Sequence, residues 1–242
     1  MYKQSIEQPD VFWGEQAKEF IDWYQPWDSV SKVDLKNSEI NWFSGAKLNV
    51  SYNCIDRHLA TKANDTAIIF EGDDPSDDLK VTYQELHDHV CRFANLLKER
   101  GVKKGDRVCI YMPMIPEVGY AMLACARIGA IHSVVFGGFS TESIKARVLD
   151  ADCQVVITAD ESVRGGKRIP LKSNVDAAIA DCPNVHSVIV VTRTGGDVAW
   201  NEKVDINYAD AVANLPAVCE PEVMDAEDPL FILYTSGSTG TP

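Results

Sequence analysis

Short apolar runs alternate with longer amphipathic stretches along residues 82–191. The runs have four to six residues, as buried strands do, and the stretches between them have helical spacing. Such alternation with short loops is typical of a parallel sheet covered by helices, so we predict an α/β fold with an open, mostly parallel sheet and helices on both faces. The predicted strands are 107–112, 131–136, 155–158 and 188–191, and the predicted helices begin after Thr82 and near 117, 141 and 170.

The helix after Thr82 has the clearest local signals. Thr82 and Glu85 have the spacing of a capping box, in which each side chain accepts a hydrogen bond from the other residue's backbone N–H. Gly101 is placed to end the helix, because glycine readily adopts the left-handed conformation found there. The predicted apolar face consists of Leu86, Val90, Phe93 and Leu97.

Two strands are predicted before that helix, on either side of an acidic turn. Residues 67–71 and a return strand from Lys80 flank the sequence GDDPSDD at 72–78, which we name the acidic loop. Clustered carboxylates can hold a metal ion. Pro75 and the absence of a calcium-loop pattern instead favour a solvated surface loop.

Residues 1–57 form a separate opening segment, followed by a main domain at 58–242. We predict an amphipathic helix near the start, with Pro9 at its beginning and Pro26 beyond its end. The residues at helical spacing that predict this helix are Trp13, Ala17, Phe20 and Tyr24. Scattered aromatic residues after the helix indicate that the segment is a helical arm that lies on a larger body.

The last apolar run, residues 230–233, predicts a buried strand that leads into a loop of small residues. Glycines let the backbone approach a ligand closely, and hydroxyls add donors beside the backbone N–H groups, so such a loop can bind phosphate. A plain loop is the alternative, and the Walker A pattern is absent. The candidate phosphate-binding residues are Thr235, Ser236, Gly237, Ser238, Thr239 and Gly240.

Two other glycine pairs follow predicted strands, where open α/β sheets bind ligands. Gly137 and Gly138 precede a helix and allow a flat group to approach, although a plain turn explains them equally well, and GxGxxG is absent. The second pair is flanked by Arg164 and Lys167, whose charges can converge on one anion. These residues lie in a predicted loop at 159–167, and a solvated surface loop is the alternative to an anion site. This second set consists of Arg164, Gly165, Gly166 and Lys167.

Composition narrows the class of protein. The 242 residues are 45% hydrophobic and 24% charged, which is ordinary for a globular protein, and the net charge of -13 disfavours a nucleic-acid binder. Seven scattered cysteines without CxxC spacing indicate neither a zinc site nor a disulfide framework. No apolar signal segment or membrane span is evident, so we expect a cytoplasmic protein.

Several motifs together resemble the acetyl-CoA synthetase branch of the adenylate-forming superfamily. They are FWGEQAKEFIDWYQPWD in the opening segment, GVKKGDRVCIYMPMIPE, FGGFS, TADESVRGGKRIPLK and YTSGSTG, in the order and spacing of that branch. The resemblance covers essentially the whole chain and corresponds to about the first third of such an enzyme. It implies activation of acetate by ATP to acetyl-adenylate, then transfer to CoA with release of AMP.

The resemblance also implies roles for the candidate residues. Residues 235–240 would hold the ATP phosphates, and Phe136, Gly137 and Gly138 would flank the CoA adenine. Arg164, with the two glycines and Lys167, would meet the CoA 3′-phosphate. Lys167 stands where related chains often have arginine. The lysine keeps the positive charge but lacks the planar fork of a guanidinium.

The resemblance implies that the catalytic residues and the Mg²⁺ ligands lie outside these 242 residues. We therefore expect the chain by itself to form no acetyl-CoA. A propionyl-CoA synthetase or another short-chain relative is an alternative, because the acyl pocket is not included. A non-catalytic binding module of the same fold and a structural α/β domain are further alternatives.

Overall fold

A computed structural model describes residues 1–235 and confirms the α/β fold with a parallel sheet and helices. The strands are β1 (Ser29–Asp34), β2 (Glu39–Ser44), β3 (Lys47–Leu48), β4 (Thr66–Glu71), β5 (Asp78–Thr82), β6 (Arg107–Met112), β7 (Ile131–Phe136), β8 (Val155–Ala159), β9 (Ser162–Arg164), β10 (Lys167–Ile169), β11 (Ser187–Val191), β12 (Asp205–Asn207), β13 (Met224–Asp225) and β14 (Phe231–Ile232). The helices are α1 (Tyr2–Glu7), α2 (Pro9–Phe20), α3 (Arg57–Lys62), α4 (Tyr83–Glu99), α5 (Pro116–Arg127), α6 (Thr141–Asp150), α7 (Leu171–Ile179) and α8 (Tyr208–Val212), with a π-helical turn at Tyr52–Asp56.

The central sheet has six strands in the order β12-β11-β8-β6-β7-β14, and all its neighbouring pairs are parallel. The chain moves from β6 outward to β7 and then crosses back past β6 to β8. Because crossovers are right-handed, this reversal places α5 on one face and α6 and α7 on the other. Helix α4 packs on α5 and α8, and α6 packs on α7, which completes the two helical layers.

Helix α4 begins and ends as its sequence predicts. The Glu85 backbone N–H donates to Thr82 Oγ1 at 3.2 Å, and the Thr82 backbone N–H donates to Glu85 Oε2 at 2.8 Å. All four residues of the predicted apolar face are buried in the core. Gly101, just beyond the helix, has a φ of +85°, which confirms its place at the helix end.

A buried ionic cluster joins the opening segment to the main sheet. Arg127, at the end of α5, donates from both terminal nitrogens to the Asp56 carboxylate, each at 2.8 Å. His87 Nε2 on α4 lies 3.6 Å from Asp56 Oδ1. Burial alone would raise the pKa of Asp56, but the hydrogen bonds from Arg127 and His87 lower it to about 2. The cluster therefore fixes three separate elements through one ionised carboxylate.

The opening helix differs in detail from its prediction. Pro9 begins α2 as expected, but the helix ends at Phe20, so Tyr24 lies outside it. The side chains of Trp13 and Phe20 are exposed. Helix α2 packs on β1, and its buried residues are Phe12, Gly14 and Ala17. Helical spacing found the helix, but packing against β1 selected which residues are buried.

The run at 230–233 forms a strand as predicted, but the prediction that this strand is buried is wrong. The strand is present as β14 and pairs with β7, but Phe231 is 53% exposed and Leu233 is 68% exposed. Strand β14 is at the edge of the described sheet, so it has one neighbouring strand instead of two. The apolar run therefore predicted the strand correctly but did not predict whether that strand is buried.

Candidate functional site

The carboxyl ends of the central strands open into a cleft of about 340 Å³, which we name the strand-end cleft. Its walls come from the segments after β6, β7 and β11, from the hairpin after β8 and from the end of β4. This edge is where open parallel sheets bind ligands. The lining residues that matter below are Phe70, Phe136, Gly137, Gly138, Arg164 and Arg193.

The turn after β7 places an exposed aromatic ring in this cleft. Phe136 is 52% exposed, and its ring lies against Gly138, where an added Cβ would be 2.7 Å from Phe136 Cε1. A Cβ on Gly137 would be 3.1 Å from the Met112 carbonyl oxygen. A side chain at either position would therefore press on a neighbour, on the Phe136 ring at Gly138 and on the Met112 backbone at Gly137. Tyr111, a buried residue that the sequence analysis missed, has its hydroxyl 3.0 Å from the carbonyl oxygen of Phe139 and so holds the turn.

The segment expected to be a loop at 159–167 is instead largely a β-hairpin, Ser162–Ile169, which we name the basic hairpin. Arg164 pairs directly with Lys167 across its tip. Gly165 and Gly166 form the tip with φ values of +56° and +72°, the left-handed conformation that both central residues of a type I′ turn require. No atom lies within 4 Å of a Cβ built on either glycine, so here conformation and not space requires glycine.

The basic hairpin and the turn after β7 meet through Arg164. Its guanidinium carbon lies 5.6 Å from the centroid of the Phe136 ring, within the range of a cation–π contact. The structure thus brings Phe136, Gly137, Gly138 and Arg164 to one cleft, although they were separate candidates in the sequence. An aromatic face beside a guanidinium is suited to a flat base that carries an anion.

The other candidate residues lie around this cleft or outside residues 1–235, the part of the chain that the structure describes. Lys167 is exposed and, as the direct cross-strand partner of Arg164, shares its face of the basic hairpin. Gly165 and Gly166 line a neighbouring groove. Thr235 is exposed and follows β14, whose carboxyl end is at the same edge of the sheet as that of β7. The remaining phosphate-loop candidates lie outside the described residues: Ser236, Gly237, Ser238, Thr239 and Gly240.

Asp160, which directly follows β8, organises the loops on this side of the cleft. The residue is 3% exposed. Its carboxylate accepts hydrogen bonds from the backbone N–H groups of Glu161 at 2.7 Å, Arg193 at 2.8 Å and Gly195 at 2.8 Å. One side chain therefore ties the start of the basic hairpin to the loop after β11. The local signal for this role was an aspartate directly after a buried strand, but the backbone groups that it binds lie up to 35 residues away in the sequence.

The acidic loop is exposed, as predicted, but it also forms part of the site. Together with Gly165, Gly166 and Arg193 it lines a groove beside the strand-end cleft, which we name the side groove. Arg193 forms an ion pair with Asp77 of this loop, and the hydrogen bond from Arg193 lowers the pKa of Asp77. A Cβ on Gly72 would be 2.7 Å from Asp77 Oδ2, so Gly72 makes room for the paired carboxylate.

The residue before the Ser/Thr/Gly loop is attached to α6. The Tyr234 hydroxyl donates to Asp150 Oδ2 at 2.6 Å. The guanidinium carbon of Arg147 lies 4.9 Å from the Tyr234 ring centroid and 5.0 Å from that of Phe139. Burial, and then the hydrogen bond with Asp150, raise the pKa of Tyr234. These contacts connect the entry of the Ser/Thr/Gly loop to the turn after β7.

The described residues show neither a metal-binding cluster nor a membrane-spanning helix. Among residues 1–235, no group of three or more His, Cys, Asp or Glu side chains is arranged to hold a metal ion. All seven cysteines are free thiols, and all but Cys54 are buried. Within the described part of the chain, no helix combines the length and the apolar character needed to cross a membrane.

Comparison with known proteins gives consistent matches. Residues 55–242 match the family described as AMP-binding enzyme, and residues 1–54 match the family described as acetyl-coenzyme A synthetase N-terminus. The chain is 66% identical over 241 residues to an acetyl-coenzyme A synthetase of Saccharophagus degradans, and 64% identical over 242 residues to acetyl-coenzyme A synthetase 2 of Pseudomonas aeruginosa.

These alignments cover 100% of this chain but 37% and 38% of the two relatives, so the chain spans little more than a third of their length. Among solved structures, acetoacetyl-CoA synthetase from Streptomyces lividans is similar with a TM-score of 0.88 and 26% identity. That similarity covers 99% of this chain and 36% of the other chain.

Proposed function

The chain belongs to the family of AMP-binding enzymes, and we propose that it supplies the CoA-binding cleft and part of the ATP phosphate site of a cytoplasmic acetate–CoA ligase. In this reaction an acetate oxygen attacks the α-phosphorus of ATP, which gives acetyl-adenylate and releases pyrophosphate. The CoA thiol then attacks the acetyl carbon, loses its proton and releases AMP. The similarity of the whole chain to acetyl-coenzyme A synthetases supports acetate as the acyl substrate.

The contact between Arg164 and Phe136 is the observation that carries this proposal. It places a cation and an aromatic face 5.6 Å apart at the carboxyl edge of the sheet. The CoA adenine would lie against Phe136, with Gly137 and Gly138 leaving room beside it. Arg164 would bind the 3′-phosphate, and Lys167, on the same face of the basic hairpin, would add a second charge.

The ATP phosphates would be held by residues 235–240. The position of Thr235 after β14 supports this, because it lies at the same edge of the sheet as the strand-end cleft. Mg²⁺ bound with ATP would neutralise phosphate charge. Residues 1–235 hold no group of three or more His, Cys, Asp or Glu side chains arranged to hold this ion. The part of this chain is to position phosphates and CoA.

Calorimetric titration of the purified chain with CoA and with ATP·Mg tests the proposal. Arg164→Ala should weaken CoA binding by on the order of tenfold or more, because it removes a charge-assisted contact to phosphate. ATP binding should be unchanged in this variant.

Arg168→Ala is the matched control for that titration. Arg168 pairs with Val163, so it projects from the opposite face of the basic hairpin from Arg164 and carries the same charge. Equal effects of the two substitutions would contradict the proposed site. So would the absence of CoA binding by a chain that circular dichroism shows to be folded.

A further inference from the structure

Arg193 lies where the two openings of the candidate site meet. It follows the end of β11 and lines both the strand-end cleft, with Arg164 and Phe136, and the side groove. Its backbone N–H donates to Asp160 Oδ1 at 2.8 Å, and its guanidinium carbon lies 5.5 Å from the Phe70 ring centroid. Both its backbone and its side chain are therefore held in position beside the proposed phosphate-binding cation Arg164.

The positive charge of Arg193 is paired with a carboxylate that is exposed and not buried in the core. Its guanidinium pairs with Asp77, and the side chains of the two residues are 22% and 43% exposed. Asp73 and Asp74 line the same groove, so the acidic loop adds negative charge where an anionic ligand would approach. An ion pair this exposed contributes little to stability, because water competes for both charges.

We propose that Arg193 is a third phosphate-binding residue of this cleft and that Asp77 occupies its guanidinium until the ligand phosphate displaces it. The inference rests on the CoA site proposed above and adds a residue and a resident competitor to it. A phosphate group carries more charge than a carboxylate and offers more acceptor oxygens to the planar fork of arginine. Exchange of one anion for the other therefore keeps the guanidinium paired throughout.

The acidic loop thereby affects which anions can bind in the cleft. An anion with a single weak charge would have to displace Asp77 with no gain in interaction, and it would meet the repulsion of the neighbouring carboxylates. A nucleotide that brings both a base for Phe136 and a phosphate for Arg164 and Arg193 overcomes that competition. The loop thus selects for phosphorylated nucleotides against small anions.

Titration of the purified chain with CoA tests the inference through two opposite effects. Asp77→Asn removes the competitor and should tighten CoA binding by about two- to fivefold, the range expected for an exposed ion pair. Arg193→Ala removes the phosphate contact and should weaken binding by on the order of tenfold. Arg193→Lys keeps the charge but loses the planar fork, so its CoA affinity should lie between that of the unsubstituted chain and that of Arg193→Ala.

Two control variants test whether these effects come from the Arg193–Asp77 ion pair. Asp74→Asn makes the same change of charge in the same loop, but the Asp74 carboxylate accepts from the Ser76 backbone N–H at 2.9 Å and is not the partner of Arg193. It removes one repelling charge without freeing the guanidinium, so it should tighten CoA binding clearly less than Asp77→Asn does. In an Arg193→Ala background, Asp77→Asn should tighten binding no more than Asp74→Asn does, because the competition for the guanidinium acts through Arg193.

The outcomes separate this inference from the site on which it rests. If Arg164→Ala weakens CoA binding while the Asp77 and Arg193 variants leave it unchanged, the inference alone is overturned. It is also overturned if Asp74→Asn tightens binding as much as Asp77→Asn, since the effect is then one of general charge. If CoA does not bind, or binds independently of Arg164, the proposed CoA site is wrong and the inference falls with it.

Discussion

Two arginine–aspartate pairs, Arg127–Asp56 and Arg193–Asp77, use the same chemistry in opposite surroundings. The first pair is 3% and 16% exposed and lies between the opening segment and α5, whereas the second is 22% and 43% exposed and lies beside the candidate site. Breaking a buried pair leaves a charge in the core, which is costly, while water readily replaces either partner of an exposed one. Burial therefore decides which pair supports the fold and which is free to exchange with a ligand.

The largest effect is expected from removing the buried carboxylate. Asp56→Asn leaves the Arg127 guanidinium buried without its counter-charge and should lower the free energy of unfolding by about 3–5 kcal/mol. Urea denaturation followed by circular dichroism measures this change. The control is Asp22→Asn, because Asp22 is 56% exposed and lies 3.5 Å from Arg57 Nη1. Similar stability of the two variants would contradict the distinction between buried and exposed pairs.

A pH-dependent loss of stability should follow from the same cluster. The hydrogen bond with Asp56 raises the pKa of His87 from 6.5 to about 10. Because the folded state holds this proton more tightly than the unfolded state, the contribution is full below pH 6.5 and is lost as the pH rises through about 10. Thermal unfolding of the chain should therefore show a melting temperature that falls over this range. His87→Gln should give a flatter profile, and an equally steep one would show that His87 is not responsible.

Matched arginine-to-lysine changes give the smallest effects and the sharpest test of the comparison. Arg127→Lys loses one of two parallel hydrogen bonds to Asp56 and should cost about 1–2 kcal/mol of unfolding free energy. Arg193→Lys should leave stability unchanged within error, because its partner is exposed. The same denaturation measurements apply to both variants. A larger loss in the Arg193 variant would mean that the exposed pair supports the fold.

Local patterns were sufficient for the elements whose signals lie within a few residues. Strand β7 has the predicted bounds 131–136, and the capping box of Thr82 and Glu85 has both its hydrogen bonds. The basic hairpin differs from the loop predicted at 159–167, although Gly-Gly between short strand-forming segments is typical of a type I′ hairpin. The exposure of β14 could not be read locally, because it depends on how many strands flank the run.

The candidate site was predictable in its parts and not in its assembly. Arg164 was proposed from its place beside two glycines after a strand, and Phe136 only from the family resemblance; the fold places the guanidinium over the ring. Asp160 was missed because its carboxylate binds the backbone N–H of Arg193, 33 residues away, and Arg193 was missed because its side chain pairs with Asp77 of the acidic loop. Two residues directly after neighbouring parallel strands are expected to meet at one edge, and this rule could have paired them.

The sequence by itself determined the alternation of strand and helix in the central sheet, the ends of α4 and the glycines at strand ends, because these depend on side-chain periodicity and on conformations available within a few residues. Only the tertiary structure decided which charges are paired. Asp56 lies 71 residues from Arg127, and Asp77 lies 116 residues from Arg193. No local pattern carries information over such separations. The folding of the sheet and its helices brings these groups together, and the burial that results decides whether each pair supports the fold or is available to bind a ligand.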